Sequence, residues 1–227
     1  CRMTERRPSF LFDLDGTLVD SVYQHVLAWR DALAAENIKL SVWRIHRRIG
    51  MSGGLFAQML STETGLKLDP QQLERVRHLH AKFYNERSAS IDPLPGAREL
   101  LAHLTHVGIP WAIATSGRME TAGPLIDRLG VDRAKVPVVT RDQVKNAKPD
   151  PDLFVTAAAR LGTAIEDAWV VGDSVWDLLA ARRARALGIG LLSGGYGRSE
   201  LEGAGAYRVY DDPADLLAHI AEVTPRR

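Results

Sequence analysis

Ser9-Phe10-Leu11-Phe12-Asp13-Leu14-Asp15-Gly16-Thr17 is the stretch on which the fold turns. An apolar run that ends in two acids and a glycine reads as a buried strand followed by a turn. Downstream, from Ser21 to about Asp92, the pattern stays helical. It predicts helices over 21–37, 41–48, 53–64 and 70–88, split at Gly65 and Pro70. Ser21 with Gln24 forms a capping-box pattern at the first of them.

Pro93-Leu94-Pro95-Gly96 then breaks the chain and the rhythm changes. Helices are expected at 96–107, 119–129, 151–161, 174–186 and 213–222. Between them lie apolar strands at Trp111–Ala114, Val136–Val139, Trp169–Val171, 187–192 and near 207–210. Asp150 with Pro151 looks like a cap and a first-turn proline. Gly194-Gly195-Tyr196-Gly197, between a strand and a weak helix, reads as a plain loop. Strands that alternate with helices build a parallel sheet covered on both faces. The fold class is therefore α/β, a doubly wound, mostly parallel sheet. Residues 1–20 and 93–227 make the core, and 21–92 form an inserted all-α unit.

Composition narrows the function. Of 227 residues 45% are hydrophobic, and 29 Lys plus Arg face 28 Asp plus Glu, for a net charge of +1. Such a balance gives no electrostatic footprint for nucleic acid. No apolar run approaches the length of about 20 residues that a membrane helix needs. Cys1 is the sole cysteine, which rules out a disulfide framework. The first residues carry no apolar leader pattern, so a cytoplasmic protein is expected. No protein partner is evident.

Ligands of open parallel sheets sit outside the carboxyl ends of the strands. The polar residues that follow each expected strand are Asp13, Asp15 and Thr17, then Thr115 and Ser116, then Lys148, then Asp173, Ser174 and Asp177. Two carboxylates brought together, Asp13 and Asp173, repel unless a cation lies between them. Oxygen ligands with positions left for water and phosphate suit Mg²⁺. A phosphoryl group needs its oxygens neutralised, which Lys148, the Thr115 hydroxyl and free N–H groups can do. An Asp can be the nucleophile that forms an aspartyl-phosphate. Asp15, two residues on, faces away along an extended strand but can act as general acid and base if the chain turns there.

These residues together resemble the haloacid dehalogenase superfamily, in its phosphatase and phosphomutase branch. The matching segments are Asp13-Leu14-Asp15-Gly16-Thr17, Thr115-Ser116, Lys148-Pro149-Asp150-Pro151, and Gly172-Asp173-Ser174 with Asp177, in family order. The resemblance implies Asp13 as nucleophile and Asp15 as acid/base. It implies that Thr115, Ser116 and Lys148 hold the phosphate. Mg²⁺ would be bound by Asp13, the backbone carbonyl of Asp15, and Asp173, with Asp177 in support. The 21–92 insertion would be the family's helical cap over a Rossmann-like core.

The cap residues carry less information. His25, one helical turn before Trp29, sits where sugar-phosphate members carry a histidine near the acid/base, and is a candidate substrate contact. Residues around 78–84 are further candidates for substrate selection. Arg44, Arg47 and Arg48 offer a site for a substrate anion or the wet face of a helix, and the wet face is the favoured reading. Gly50-Met51-Ser52-Gly53-Gly54 matches G-x-S-x-G, but no strand precedes it, so a serine nucleophile is rejected. Mutase-like members place a basic residue in this loop, where this chain has Gly53 and Gly54. The sequence thus predicts a Mg²⁺-dependent phosphatase for a small phosphorylated metabolite, of the sugar phosphate or phosphoglycolate type. The alternatives are a beta-phosphoglucomutase-like phosphomutase and, in another class, a phospho-acceptor signalling domain.

Overall fold

The strand expected at the head of the chain forms as β1 (Ser9–Phe12) in a computed structural model that describes residues 8–224. The N-terminal stretch in which no leader pattern is expected, residues 1–7, lies outside the described residues. Alternate strand side chains point to opposite faces, so Phe10 and Phe12 go one way and Leu11 the other. All three are fully buried, in two separate apolar clusters, which makes β1 a central strand. Burial of each side chain contributes roughly 1.5–3 kcal/mol. β2 (Trp111–Ala114) and β4 (Ala168–Gly172) flank β1. With β3 (Val138–Val139), β5 (Leu187–Leu191) and β6 (Ala206–Tyr210) they form a sheet in the order β3-β2-β1-β4-β5-β6. Every pairing is parallel, as expected of the doubly wound class.

Helices cover both faces. α5 (Ala97–His106), α6 (Met119–Arg128) and α10 (Pro213–Ala218) pack on the Phe10/Phe12 side. α7 (Asp152–Leu161) and α8 (Val175–Ala184) cover the Leu11 side, where Ala157, Ala158, Ala180 and Ala181 keep the layers close. Between β1 and α5 lie α1 (Val22–Ala35), α2 (Val42–His46), α3 (Gly53–Thr64) and α4 (Pro70–Arg87). They bury their own cluster, including Val26, Trp29, Leu33, Phe56, Leu60 and Val76. No helix of the described residues is long and apolar enough to cross a membrane.

Several local expectations need correction. Ser21 precedes α1 but makes no side-chain cap bond; its hydroxyl donates to Asp15 instead, at 2.6 Å. The third strand is shorter than Val136–Val139. Pro137 has no N–H to give a ladder, and the Val136 N–H donates to Asp132 in a turn. Asp150 does not cap α7. Pro151 holds that position, and Asp150 pairs with Arg183 at 2.9 Å. The weak helix expected after the Gly-rich loop forms as α9 (Arg198–Ala204). The last helix ends at Ala218 and gives way to a separate turn at Ile220–Glu222.

Gly96 caps α5 with φ +73°, and a Cβ there would overlap Ala214 of α10. Gly96→Ala meets both a left-handed backbone and a packed neighbour. It should lower stability by at least about 1 kcal/mol in chemical denaturation, with the slope unchanged.

Candidate active site

The ladder of β1 runs one residue past the strand: the Asp13 N–H donates to the Val171 carbonyl at 2.9 Å. Asp13 is thereby set beside the end of β4, where Asp173 follows. The chain then turns. The Leu14 carbonyl accepts from Leu18 at 2.9 Å and from Val19 at 3.1 Å. Gly16 makes this possible, with φ +80° and no room for a side chain: a Cβ would lie 2.5 Å from Asp173 Oδ2. The turn brings Asp15 onto the same cavity as Asp13. Thr17 Oγ1 donates to Asp173 Oδ1 at 2.9 Å and ties the turn to β4.

Beneath that turn lies a buried charge cluster. Lys148 is fully buried and forms ion pairs with Asp13 and, at 2.8 Å, with Asp177. Asp177 also accepts from the Ser174 N–H at 3.1 Å and from the Ser174 hydroxyl at 2.6 Å. It is both a helix cap for α8 and a support for Lys148. Asp13, Asp173 and Asp177 each offer an oxygen, and these lie within 4.8 Å of one another. One ammonium faces three carboxylates, and the imbalance appears in the acidities of Asp13 and Asp173. Burial pushes the Asp13 carboxyl up to about 7; Asp177 and Asp15 add repulsion, and Lys148 pulls the other way. Burial, then Asp177 and Asp13, raise Asp173 well above the usual carboxylate range. A small hard cation among these oxygens would remove the excess negative charge, so the donor set fits a divalent ion of the Mg²⁺ kind.

Asp15 has a different setting. Its Oδ1 accepts from Ser21 Oγ at 2.6 Å, faces His25 Nε2 at 3.2 Å and accepts from the Tyr84 hydroxyl at 3.4 Å. Burial works against its charge, but His25 beside it and hydrogen bonds from His25 and Ser21 prevail, and Asp15 stays below its ordinary pKa. His25 stacks on Tyr84, with ring centres 3.8 Å apart. Its Nδ1 lies 3.2 Å from His80 Nε2, and His80 stacks on Trp29 at 4.1 Å. α1 and α4 thus fix the orientation of an acid that belongs to the turn after β1.

The other expected residues divide. Thr115 ends β2, and its hydroxyl accepts from the Gly117 N–H at 2.9 Å while it lines the cavity. Ser116 also lines the cavity but donates to the Gly50 carbonyl at 3.1 Å, so it meets the helical unit. The cavity holds about 380 Å³, within the range of small-molecule sites. Asp13, Asp15 and Thr115 form its core side; Trp29, Phe56 and His80 form the opposite wall. Arg48, Arg77, Arg118 and Arg141 also line it.

The three arginines of this stretch do not share one wet face. Arg44 and Arg48 both pair with Glu63, Arg48 also lines the cavity, and Arg47 pairs with Glu200 of α9. The range around 78–84 contains His80 and Tyr84 without naming either, and Arg77 and Arg141 were not singled out from the sequence. The signal that could have found His80 and Tyr84 is their spacing of one helical turn, which mirrors His25 and Trp29.

Residues 9–185 match the family model described as haloacid dehalogenase-like hydrolase. The chain is 35% identical over 184 residues to hexitol phosphatase A of Escherichia coli (strain K12), covering 79% of this chain and 80% of that protein. It is 30% identical to a phosphoglycolate phosphatase of Rhodospirillum rubrum, covering 91% of this chain and 88% of the relative. A solved hydrolase structure from Pseudomonas syringae superimposes with a TM-score of 0.93 at 54% identity, covering 96% of this chain and all of that one.

Proposed function

The chain belongs to the haloacid dehalogenase-like hydrolase family, and from that premise we propose that it is a divalent-metal-dependent phosphatase acting on a small sugar phosphate through an aspartyl-phosphate. The observation that carries the reading is the convergence of Asp13, Asp15 and Thr115 on one cavity, above a buried Lys148 and Asp173. Asp13, the backbone carbonyl of Asp15, and Asp173 would hold Mg²⁺. When bound, the ion would neutralise the carboxylates and the charge that develops on the phosphoryl oxygens.

The remaining steps belong to the chain. Lys148 keeps Asp13 in place and, with Thr115, receives the phosphate. An Asp13 carboxylate oxygen forms a bond to phosphorus while the ester P–O bond breaks. Asp15 gives its proton to the leaving alkoxide. The negative charge of an arriving phosphate ester raises the pKa of nearby Asp15, which favours the protonated form that this step needs. Water then attacks phosphorus and passes a proton to Asp15. The Asp13–phosphorus bond breaks, and inorganic phosphate and the free carboxylate result. The unit 21–92 acts as a lid that keeps bulk water from the acyl-phosphate.

Cavity size favours the sugar-phosphate type over the two-carbon phosphoglycolate. About 380 Å³ with Trp29 and Phe56 on one wall suits a six-carbon leaving group that packs its C–H face there. The phosphomutase alternative needs a cation in the 50–54 loop, where Gly53 and Gly54 stand; the cations that the helical unit brings to the cavity, Arg48 and Arg77, lie outside that loop. The same reading makes the protein cytoplasmic, with a small metabolite as its partner. The test is phosphate release from hexitol phosphates, hexose phosphates and phosphoglycolate, with Mg²⁺ or with chelator. Release that needs Mg²⁺ and is fastest on six-carbon esters is expected. Release from none of them refutes the reading.

A further inference from the structure

The Gly-rich stretch after β5 touches both the helical unit and the acidic cluster. On the core side, Ser193 Oγ donates to the Gly16 carbonyl at 2.6 Å, in the turn that follows Asp15. Gly194 lies so close to Asp173 that a Cβ there would overlap its carboxylate. On the other side, the Gly194 carbonyl accepts from His46 Nε2 at 2.8 Å. Gly195 has φ +86°, and a Cβ on it would lie 3.0 Å from both His46 Nε2 and the Tyr23 hydroxyl. Tyr23 stacks flat on His46, with ring centres 5.6 Å apart and planes 1° from parallel.

The seam continues along the segment after His46. The Tyr196 hydroxyl donates to the Arg47 carbonyl at 3.0 Å, and Trp176 Nε1 donates to the same oxygen at 3.3 Å. Gly50 packs on Ser174, the neighbour of Asp173; a Cβ on Gly50 would lie 2.6 Å from Ser174 Oγ. Asp173 is therefore enclosed by Gly16 and Gly194, and Gly194 is held in turn by a side chain of the helical unit.

We propose that His46 is a positioning residue for the acidic cluster: bonded to the Gly194 carbonyl, it holds segment 193–195 against Asp173 and so fixes that carboxylate for a divalent cation. A carbonyl can only accept, so Nε2 is the donor, and the stack on Tyr23 sets the direction of that N–H. Groups that orient a metal ligand from outside commonly change metal affinity by about 10–100-fold when removed. The inference rests on the proposed function only for Asp173 as a cation ligand.

The test is Mn²⁺ binding to the full chain without substrate, followed by the electron paramagnetic resonance of free Mn²⁺, with phosphate release measured in parallel. His46→Ala should bind Mn²⁺ about ten-fold more weakly. His46→Gln, whose amide can still donate to the carbonyl, should recover most of the affinity. Trp43→Ala, on the same helix with 62% exposure, should match the unaltered chain. Circular dichroism verifies that each variant folds. Unchanged affinity in His46→Ala overturns the proposal, as does an equal loss in His46→Gln or no Mn²⁺ binding by the unaltered chain. Should the unaltered chain bind Mn²⁺ but release phosphate from no ester, the phosphatase reading fails, while the affinity ratio still decides this one.

Discussion

Asp13→Asn should lower kcat for an aryl phosphate such as p-nitrophenyl phosphate by about ten-thousand-fold or more, while the protein stays folded. The amide has the size of the carboxylate but cannot form the acyl-phosphate. Stability should hold, because the buried carboxylate is already unfavourable there: burial pushes its pKa up to about 7 even with Lys148 beside it. Lys148 keeps its other partner, Asp177, at 2.8 Å. A melting temperature equal to or above that of the unaltered protein is therefore expected. Full activity in this variant would refute Asp13 as nucleophile.

Lys148→Met should have the largest effect on stability. The methionine fills the space of the stem but removes the only ammonium that faces the three carboxylates among the described residues. Breaking a buried ion pair from one side costs about 3–5 kcal/mol. The loss should depend on pH. Asp13 and Asp173 are already raised above their ordinary values, and without the ammonium they rise further. The folded state then holds more protons than the unfolded state. Stability must fall as pH rises from the unfolded carboxylate pKa of about 4 toward the raised folded values. Denaturation in chelator should thus show a greater deficit at pH 8 than at pH 5, and added Mg²⁺ should restore part of it. A deficit independent of pH would mean that the lysine acts through packing alone. Phosphate release should be lost as well.

The chain made its sheet and its acids legible for a physical reason. An apolar strand that ends in Asp13 and Asp15 has few bland readings, because two acids at a buried edge need a partner. The later βα units then fix where Thr115, Lys148 and Asp173 must emerge. Local signals that several partners could claim were less secure. Ser21 and Gln24 carry a capping pattern, yet Asp15 takes the Ser21 hydroxyl. Asp150 looks like a cap, yet Arg183 takes its carboxylate. Segment 194–197 looked like a plain loop because its contacts, Asp173 and His46, lie far away along the chain. Helical periodicity placed His25 near Trp29, but not His80 and Tyr84 beside them, since the packing of α1 on α4 is not written in either helix alone.

The most direct test is to mix the protein with a ³²P-labelled sugar phosphate, quench in acid within one turnover and map the labelled peptide. A label on Asp13 that mild alkali removes, as an acyl-phosphate requires, is the expected result. A label on any other residue, or phosphate release with no labelled protein at the earliest times, would contradict covalent catalysis at Asp13.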